Sequence, residues 1–220
     1  FDMGNVNLLL RGLVGFDGSN AFKPQGLERL EYPAKGNFNP HAGTLVFWTC
    51  AFRHNPCDPT TDGVQRGNIY LANLWAKEGD KDLSIGVYEY GENVYAHWEN
   101  NQEPRKGFYA HAIAKIPRAG VRKGEWHQIA VSWNDERIVT YLNGEKVSAR
   151  TLPPKARSTL DVMPDESRKS LIGIKATRWD DKNEWDTGID DFAVYGRVLT
   201  DSEIRSRYLA LAKGARKRSQ

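Results

Sequence analysis

The sequence of this chain predicts an all-β protein in which two antiparallel sheets pack face to face as a sandwich. Short runs of β-branched and aromatic residues alternate with clusters of Gly, Pro, Asn and Asp along the whole chain. No strong helical period interrupts these runs. With 220 residues, the chain lies within the range that a sandwich reaches as one unit. We therefore expect a single hydrophobic core.

Eight segments carry the strand pattern. In chain order they span residues 8–16, 44–52, 83–90, 94–98, 127–133, 138–142, 169–174 and 189–195. The clearest connection is Asn143-Gly144, which joins residues 138–142 to a second alternating run over 145–149. Both central positions of a type I′ turn need positive φ, which Asn and Gly tolerate best. The two runs are therefore predicted to form a hairpin.

The C-terminal segment carries the helix signal of this chain. Thr200 and Glu203 have the spacing of a capping box, in which each side chain pairs with the backbone N–H of the other residue. The helix is expected to run to about Lys213 and to stop at Gly214. Three residues fall on one helix face that can pack against the sandwich, namely Ile204, Tyr208 and Leu211.

The positive charge of the chain is concentrated at its C-terminal end. The formal net charge is +3, and four basic residues lie within the last eight positions: Lys213, Arg216, Lys217 and Arg218. The rest of the chain is close to neutral, which disfavours a nucleic-acid partner. We interpret residues 215–220 as a basic, disordered tail or a junction to further domains of a larger protein. An electrostatic binding arm is the alternative.

Signals for a membrane or a compartment are few. No run of about 18 apolar residues occurs, so the sequence predicts no membrane span. Cys50 and Cys57 are seven positions apart. A disulfide between them is the favoured interpretation, and it would indicate a secreted, cell-surface or periplasmic setting. Two free thiols are an alternative, and a zinc site with His54 is a third, although structural zinc takes four ligands.

Three groups of segments carry a family resemblance. They are FDGS (16–19) with HAGTLVFW (41–48), GEWHQIAVSW (124–133) running into IVTYLNGEK (138–146), and GIDDFAVYGRVLTDSEI (188–204). In this order they resemble the laminin-G-like jelly-roll domains of the concanavalin-A-like lectin and glucanase superfamily. The resemblance implies one jelly-roll domain over residues 1–214, a short terminal helix and often a structural calcium ion. Members include sugar-binding modules, adhesion domains and accessory domains of polysaccharide-degrading enzymes, so the fold alone does not select a function.

A calcium site is expected at the last predicted strand. Strict alternation puts Asp190 on the same face as Phe192 and Val194, so its carboxylate should point inward and need a partner. If the first and last strands lie side by side, as in the similar family, Asp17 would lie beside Asp190 and Ca²⁺ would bridge them. In the alternative interpretation both aspartates cap turns and accept hydrogen bonds from backbone N–H groups.

A loop before the last strand is the first candidate for sugar binding, which needs aromatic faces and oriented polar groups. Trp179 and Trp185 bracket the polar segment 178–186, in which Asp181 and its neighbours can pair with hydroxyls. Arg178 can meet a carboxylate or sulfate on an acidic sugar. The alternative is an exposed loop whose two indoles fold back on the rim of the sandwich.

Two adjacent strand-like runs supply a second candidate for sugar binding. Their aromatic residues, which would present a platform on one sheet face, are Tyr88, Tyr90, Tyr95 and Trp98. Ordinary cross-strand packing is the alternative. Three other tryptophans are predicted to be packing residues because of their positions in the matching motifs and strands: Trp48, Trp126 and Trp133.

Catalysis is disfavoured by the motifs that the sequence lacks. Glucanases of the superfamily use a Glu-x-Asp-x-x-Glu strand, whereas here Glu184 and Asp186 are followed by Ile189. Common hydrolase, zincin and nucleotide-binding motifs are also missing. The sequence therefore predicts a non-catalytic carbohydrate-binding module with a glycan or polysaccharide partner. A protein-interaction or adhesion domain of the same fold is the alternative, followed by a polysaccharide lyase or glycosidase.

Overall fold

A computed structural model describes residues 30–33, 39–51, 69–78, 81–90, 93–101, 108–115, 126–154, 170–174 and 187–218. These residues form strands β1 to β11 and helix α1. In order they are Leu30–Pro33, Ala42–Ala51, Ile69–Glu78, Lys81–Tyr90, Asn93–Asn101, Phe108–Lys115, Trp126–Asn134, Arg137–Leu142, Glu145–Thr151, Ser170–Ile174 and Thr187–Tyr195, followed by α1 at Asp201–Arg218.

The strands are arranged in two antiparallel sheets. One sheet has six strands in the order β1-β10-β3-β4-β5-β6, and the other has five in the order β11-β2-β7-β8-β9. Strand β6 of the first sheet contacts β8 and β9 of the second. The predicted two-sheet antiparallel sandwich with a C-terminal helix is confirmed.

The hydrophobic core lies between the two sheets. Period-two alternation gives each central strand one fully buried face, with Ile85 and Trp98 on the six-stranded side and Phe47 and Ile129 on the five-stranded side. The packing role predicted for Trp133 is confirmed, since its ring is buried and its Nε1–H donates to the Asn39 carbonyl at 3.0 Å. A Cβ on Gly43 would stand 2.1 Å from the Trp133 ring, so that position requires glycine.

The two other tryptophans predicted to pack differ in burial. Trp48 is buried on the opposite face of β2, under helix α1, where its indole stacks on Tyr208 with ring centroids 5.6 Å apart. Trp126, at the start of β7, is partly buried.

The predicted hairpin is the connection between β8 and β9. Asn143 and Gly144 have φ of 52° and 79°, as an Asn-Gly turn requires. Asn143 is tied to β7 as well, because its N–H donates to the Gln128 carbonyl at 2.8 Å and its Oδ1 accepts from the Gln128 N–H at 2.9 Å. The turn between β8 and β9 is therefore held to β7 by two hydrogen bonds.

Helix α1 covers the outer face of the five-stranded sheet. A buried cluster joins the helix and its entry segment to three strands, through Val46, Ala130, Val139, Tyr141, Leu199 and Ile204. The predicted capping box is confirmed. The Thr200 N–H donates to Glu203 Oε2 at 2.8 Å, and the Glu203 N–H donates to Thr200 Oγ1 at 3.2 Å.

The predicted stop of the helix at Gly214 is wrong, because α1 continues to Arg218. One glycine inside a helix costs only about 1 kcal/mol relative to alanine, and the good helix formers Lys213 and Ala215 flank this one. Part of the segment predicted as a basic tail thus has helical backbone. Within the part of the chain that the structure describes, no helix is long and apolar enough to cross a membrane.

Two ionisable side chains near the helix start have shifted pKa values. Hydrogen bonds from Arg197 and then from the backbone and hydroxyl of Thr200 lower the pKa of Glu203 from 4.5 to about 2. Burial, followed by a hydrogen bond to Asp201, raises the pKa of Tyr141 from 10.0 to about 12. Its hydroxyl donates to Asp201 Oδ1 at 2.7 Å. Both groups tie the helix start to its surroundings.

Candidate functional site

Two adjacent inner strands of the six-stranded sheet, β4 and β5, carry a candidate binding surface on the face that points away from the core. Their core-facing residues, such as Ile85 and Ala96, are completely buried. The alternate residues share the other face and are paired across β4 and β5 in three rows: Tyr88 with Tyr95, Gly86 with His97, and Ser84 with Glu99. We call these six residues the outer patch.

The first row of the outer patch is an aromatic pair. The rings of Tyr88 and Tyr95 are stacked, with centroids 5.1 Å apart and planes inclined by 10°. The ring of His97 lies 5.6 Å from that of Tyr88, tilted by 49°. Both tyrosines are partly exposed. The patch therefore holds three aromatic rings in contact over two strands, of which the two tyrosines are partly exposed and His97 is buried.

The second and third rows place polar atoms next to that surface. His97 Nε2 lies 3.4 Å from Ser84 Oγ, and both residues are 8% exposed. The imidazole leans across β4 because Gly86 leaves room for it. A Cβ at Gly86 would stand 2.1 Å from His97 Cε1. Glycine at this position is thus the local sequence feature that lets the histidine lie between Ser84 and Tyr88.

The side chains of the outer patch offer several kinds of non-covalent contact. Tyrosine rings offer apolar faces, while hydroxyl, imidazole and carboxylate groups can pair with sugar hydroxyls. The contact between Ser84 and His97 is a single polar contact, whereas an acyl-transfer site also needs donors aimed at a developing oxyanion. The strand around Ser84 is paired on both sides, with β3 and β5. Its backbone N–H groups are therefore engaged in the sheet.

A second cluster, between β11 and α1, holds the two aspartates of the predicted last strand. Asp190 pairs with Trp48 of β2, and the next residue of β11 that is in register with β2 is Ala193. A β-bulge therefore lies between Asp190 and Ala193, and within it Asp191 has φ of 48°. The prediction that Asp190 shares a face with Phe192 is therefore wrong. Phe192 packs against Phe47 in the core, with ring centroids 6.2 Å apart, whereas Asp190 lies on the helix side of the sheet.

The largely buried carboxylate is that of Asp191, and its partner is an arginine. Arg207 Nη2 donates to Asp191 Oδ1 at 2.9 Å and to Oδ2 at 2.8 Å, and Nη1 donates to the Tyr195 hydroxyl at 2.7 Å. The two charged side chains are only 14% (Asp191) and 21% (Arg207) exposed. This ion pair docks the helix on β11. Sequence analysis missed it, although Arg207 follows the helix-face residue Ile204 by three positions.

Comparison with known families identifies the architecture. The family model Laminin_G_3, described as the Concanavalin A-like lectin/glucanases superfamily, matches residues 33–205. The chain belongs to this laminin-G-like family. The family resemblance carried by the sequence motifs is thereby confirmed. A comparison with curated protein sequences gave no match.

The similar solved structures include binding domains of other proteins. The binding domain of Paraclostridial Mosquitocidal Protein 1 is similar at a TM-score of 0.64 and 18% identity, over 93% of this chain and 46% of that one. The receptor binding domain of botulinum neurotoxin D has a TM-score of 0.61 and 15% identity, over 87% of this chain and 44% of that one. The ligand binding domain of botulinum neurotoxin serotype D in complex with N-acetylneuraminic acid has a TM-score of 0.58 and 17% identity, over 87% of this chain and 42% of that one.

These likenesses confirm the jelly-roll fold of this laminin-G-like domain. The chain spans less than half the length of each of those solved chains. What those domains bind is therefore a property of those proteins and is not transferred to this chain.

The predicted ligand residues fall in three places in the laminin-G-like fold. Trp98 lies on the core-facing side of β5 and is 0% exposed, so the outer patch does not include it. Tyr90 ends β4 and pairs with Asn93 in the backbone register, and its side chain lies outside the described residues. The loop candidates also lie outside the described residues: Arg178, Trp179, Asp181 and Trp185.

The predicted calcium and disulfide sites are described only in part. Asp190 is partly exposed, and its Oδ1 accepts the Asp191 N–H at 2.8 Å. Calcium takes about six to eight oxygens. Among the described residues, no group of three or more His, Cys, Asp or Glu side chains converges. The calcium prediction therefore depends on Asp17 and loop carbonyls outside the described residues. Cys57 is also outside them, and Cys50 is described only as backbone in β2.

Proposed function

We propose that this chain is a non-catalytic carbohydrate-binding module that binds a glycan or polysaccharide at the outer patch. The observation that carries the proposal is the arrangement of the stacked Tyr88–Tyr95 pair beside the His97 imidazole and the Ser84 hydroxyl on one sheet face. A pyranose needs this combination, since its C–H-rich face packs on aromatic rings while its hydroxyls need a few oriented partners.

The similar solved structures support a binding role. They are described as binding, receptor binding or ligand binding domains, and two are complexes with SialylT or N-acetylneuraminic acid. Because this chain spans less than half of each, the proposal takes from them only the use of the fold in binding domains. The residues that bind are proposed from this chain's own outer patch.

The proposal includes the remaining expectations from the sequence. They are an extracellular or periplasmic setting with a bridge between Cys50 and Cys57, a structural calcium ion held by Asp17 and Asp190, and a second aromatic contact from Trp179 and Trp185. Peptide mass mapping without reductant tests the bridge. Thermal melting with calcium and with chelator tests the ion. A melting temperature that neither addition changes contradicts the calcium site.

A glycan array of the purified chain tests the function, followed by titration calorimetry on any hit. Tyr88→Ala and Tyr95→Ala should weaken binding by at least about tenfold, the equivalent of one aromatic contact. Lys146→Ala is the matched control, because Lys146 is exposed on β9 in the other sheet. Circular dichroism verifies that each variant is folded.

The outcomes of this experiment separate the candidate sites. Binding that is lost in the tyrosine variants supports the outer patch, whereas binding lost only in Trp179→Ala or Trp185→Ala assigns the site to the loop. An array without hits, from a folded chain, contradicts the module and favours the protein-interaction or adhesion domain.

A further inference from the structure

The rows of the outer patch continue into the strands on either side of it. Strand β3 pairs with β4 and β6 pairs with β5, so β3 to β6 are neighbours in one antiparallel sheet. Trp75 of β3 is directly opposite Ser84. Tyr109 of β6 is directly opposite Glu99. Residues that are directly opposite in an antiparallel pair share one face of the sheet. The register therefore places an aromatic residue at each end of this row.

The other two rows also continue in register. From β3 to β6, the row of His97 reads Asn73, Gly86, His97 and His111, and the row of Tyr88 reads Tyr70, Tyr88, Tyr95 and Ile113. The register shift of β3 lies between Tyr70 and Ala72. The rows of Ser84 and His97 lie beyond this shift and are regular on all four strands.

The core-facing residues of the same strands agree with this placement. On β3, Leu74 is completely buried, and Trp75 is the next residue. On β6, Ala110 is directly opposite the buried Trp98, and Tyr109 is the residue before it. Successive residues of a strand belong to opposite faces of the sheet. Trp75 and Tyr109 thus have the strand positions of the face that carries the outer patch.

The width of this four-strand face exceeds that of one sugar. Neighbouring strands of a sheet are about 4.8 Å apart, so β3 and β6 are separated by about 14 Å. One pyranose ring is too small to contact all four strands, whereas consecutive units of an extended chain can do so. The length of the rows therefore bears on which kind of glycan the face fits.

We propose that the outer patch is the centre of a binding face across β3, β4, β5 and β6, and that this face takes several consecutive units of an extended, hydroxyl-rich polysaccharide. This inference rests on the proposed function and names its substrate class. The stacked tyrosines Tyr88 and Tyr95 hold the middle of the chain. Trp75 and Tyr109 contact the units on either side. Polar residues between them pair with hydroxyl groups, as oriented partners in sugar sites do.

A series of chain lengths tests the inference on the wild-type chain. The probes are oligomers of glucose, mannose, xylose and N-acetylglucosamine with one to six units, titrated by calorimetry. In the series that binds, affinity should rise at least about tenfold from the monosaccharide to the tetrasaccharide. It should then level off, because further units extend past β3 or β6. This measurement needs no variant, so it does not depend on how a substitution folds.

Two variants at the ends of the row test which face binds the chain. Trp75→Ala and Tyr109→Ala should each weaken hexasaccharide binding by about tenfold and disaccharide binding much less, because a disaccharide is held by the central tyrosines. Leu209→Ala is the matched control, since Leu209 is a large apolar side chain, 39% exposed, on helix α1 beside the other sheet. Circular dichroism verifies that each variant is folded.

The outcomes separate this inference from the proposed function. Equal affinities for short and long oligomers overturn the inference but leave the module intact, and so does binding of array glycans without binding of any oligomer series. A length dependence that neither Trp75→Ala nor Tyr109→Ala changes also overturns it. A folded chain that binds no oligomer and no glycan of the array contradicts the proposed function itself.

Discussion

Arg207 donates two hydrogen bonds from Nη2 to the carboxylate of Asp191, one to each oxygen, at 2.9 and 2.8 Å. The same guanidinium lies 5.8 Å from the centre of the Tyr195 ring and donates to its hydroxyl. A helix residue is thereby attached to a bulged strand whose backbone at Asp191 adopts positive φ. Because both charged groups are largely excluded from water, the removal of either one would leave the other buried without an opposite charge.

Arg207→Ala should therefore lower the free energy of unfolding by about 3 kcal/mol, the cost of leaving a mostly buried carboxylate without its partner. Chemical denaturation measures the loss. Arg205→Ala is the matched control, because Arg205 pairs with Glu145 at side-chain exposures of 52% and 63%, and exposed pairs contribute about 0–1 kcal/mol. Equal losses in the two variants would contradict a structural role for the Asp191–Arg207 pair.

The capping box predicts a change in stability at acid pH. The hydrogen bonds from Arg197 and Thr200 lower the pKa of Glu203 from its ordinary value of 4.5 to about 2 in the folded chain. A lowered pKa means that the folded state favours the carboxylate, so the contribution is present above pH 4.5 and is lost as the pH falls towards 2. Melting temperatures across this window should fall less steeply for Glu203→Gln than for the wild type. Parallel curves would exclude Glu203 as a source of the acid sensitivity.

The features of this fold that could be predicted are those encoded by neighbouring residues. The Asn143-Gly144 turn and the Thr200–Glu203 box each act within four residues, and both form as expected. The bulge after Asp190 could not be derived, because alternation assumes a regular strand and one extra residue reverses every later side chain. The partner of Asp191 therefore had to be found in the structure.

The candidate site was predictable in part. Tyr88 and Tyr95 lie together as the platform hypothesis required. Trp98 is an odd number of residues from Tyr95, so period two already assigned it to the other face of β5. His97 has the correct parity with Tyr95, and this signal was overlooked. The contact of His97 with β4 depends on Gly86, which becomes its partner only through the strand register.

Tyr141 predicts a change in stability at alkaline pH. Its pKa is raised to about 12 from 10.0, chiefly by burial and also by its hydrogen bond to Asp201. The folded state thus favours the neutral phenol, and the contribution is complete below pH 10 and lost as the pH rises to 12. Tyr141→Phe should remove this dependence and cost about 1 kcal/mol at neutral pH through the lost hydrogen bond. Tyrosinate absorbance during alkaline titration follows the group, and titration of every tyrosine near 10 would contradict the shift.

The close approach of the His97 ring to Gly86 predicts that a larger residue at position 86 will disturb the outer patch. In Gly86→Ala the new methyl group would stand 2.1 Å from His97 Cε1, so the imidazole must leave its position between Ser84 and Tyr88. We expect a loss of about 1–3 kcal/mol from overpacking and a weaker affinity for any glycan that binds there. Gly196→Ala is the matched control, since nothing lies within 4 Å of a Cβ at that position.

The double variant Gly86→Ala/His97→Ala separates the two effects of this substitution. Truncating His97 removes the clash, so stability should recover towards that of His97→Ala alone, while glycan affinity stays low because the imidazole is gone. The coupling free energy from this double-mutant cycle reports the contact directly. If Gly86→Ala destabilises the chain equally with and without His97, then the clash is not the cause. If affinity recovers together with stability, then the histidine takes no part in binding.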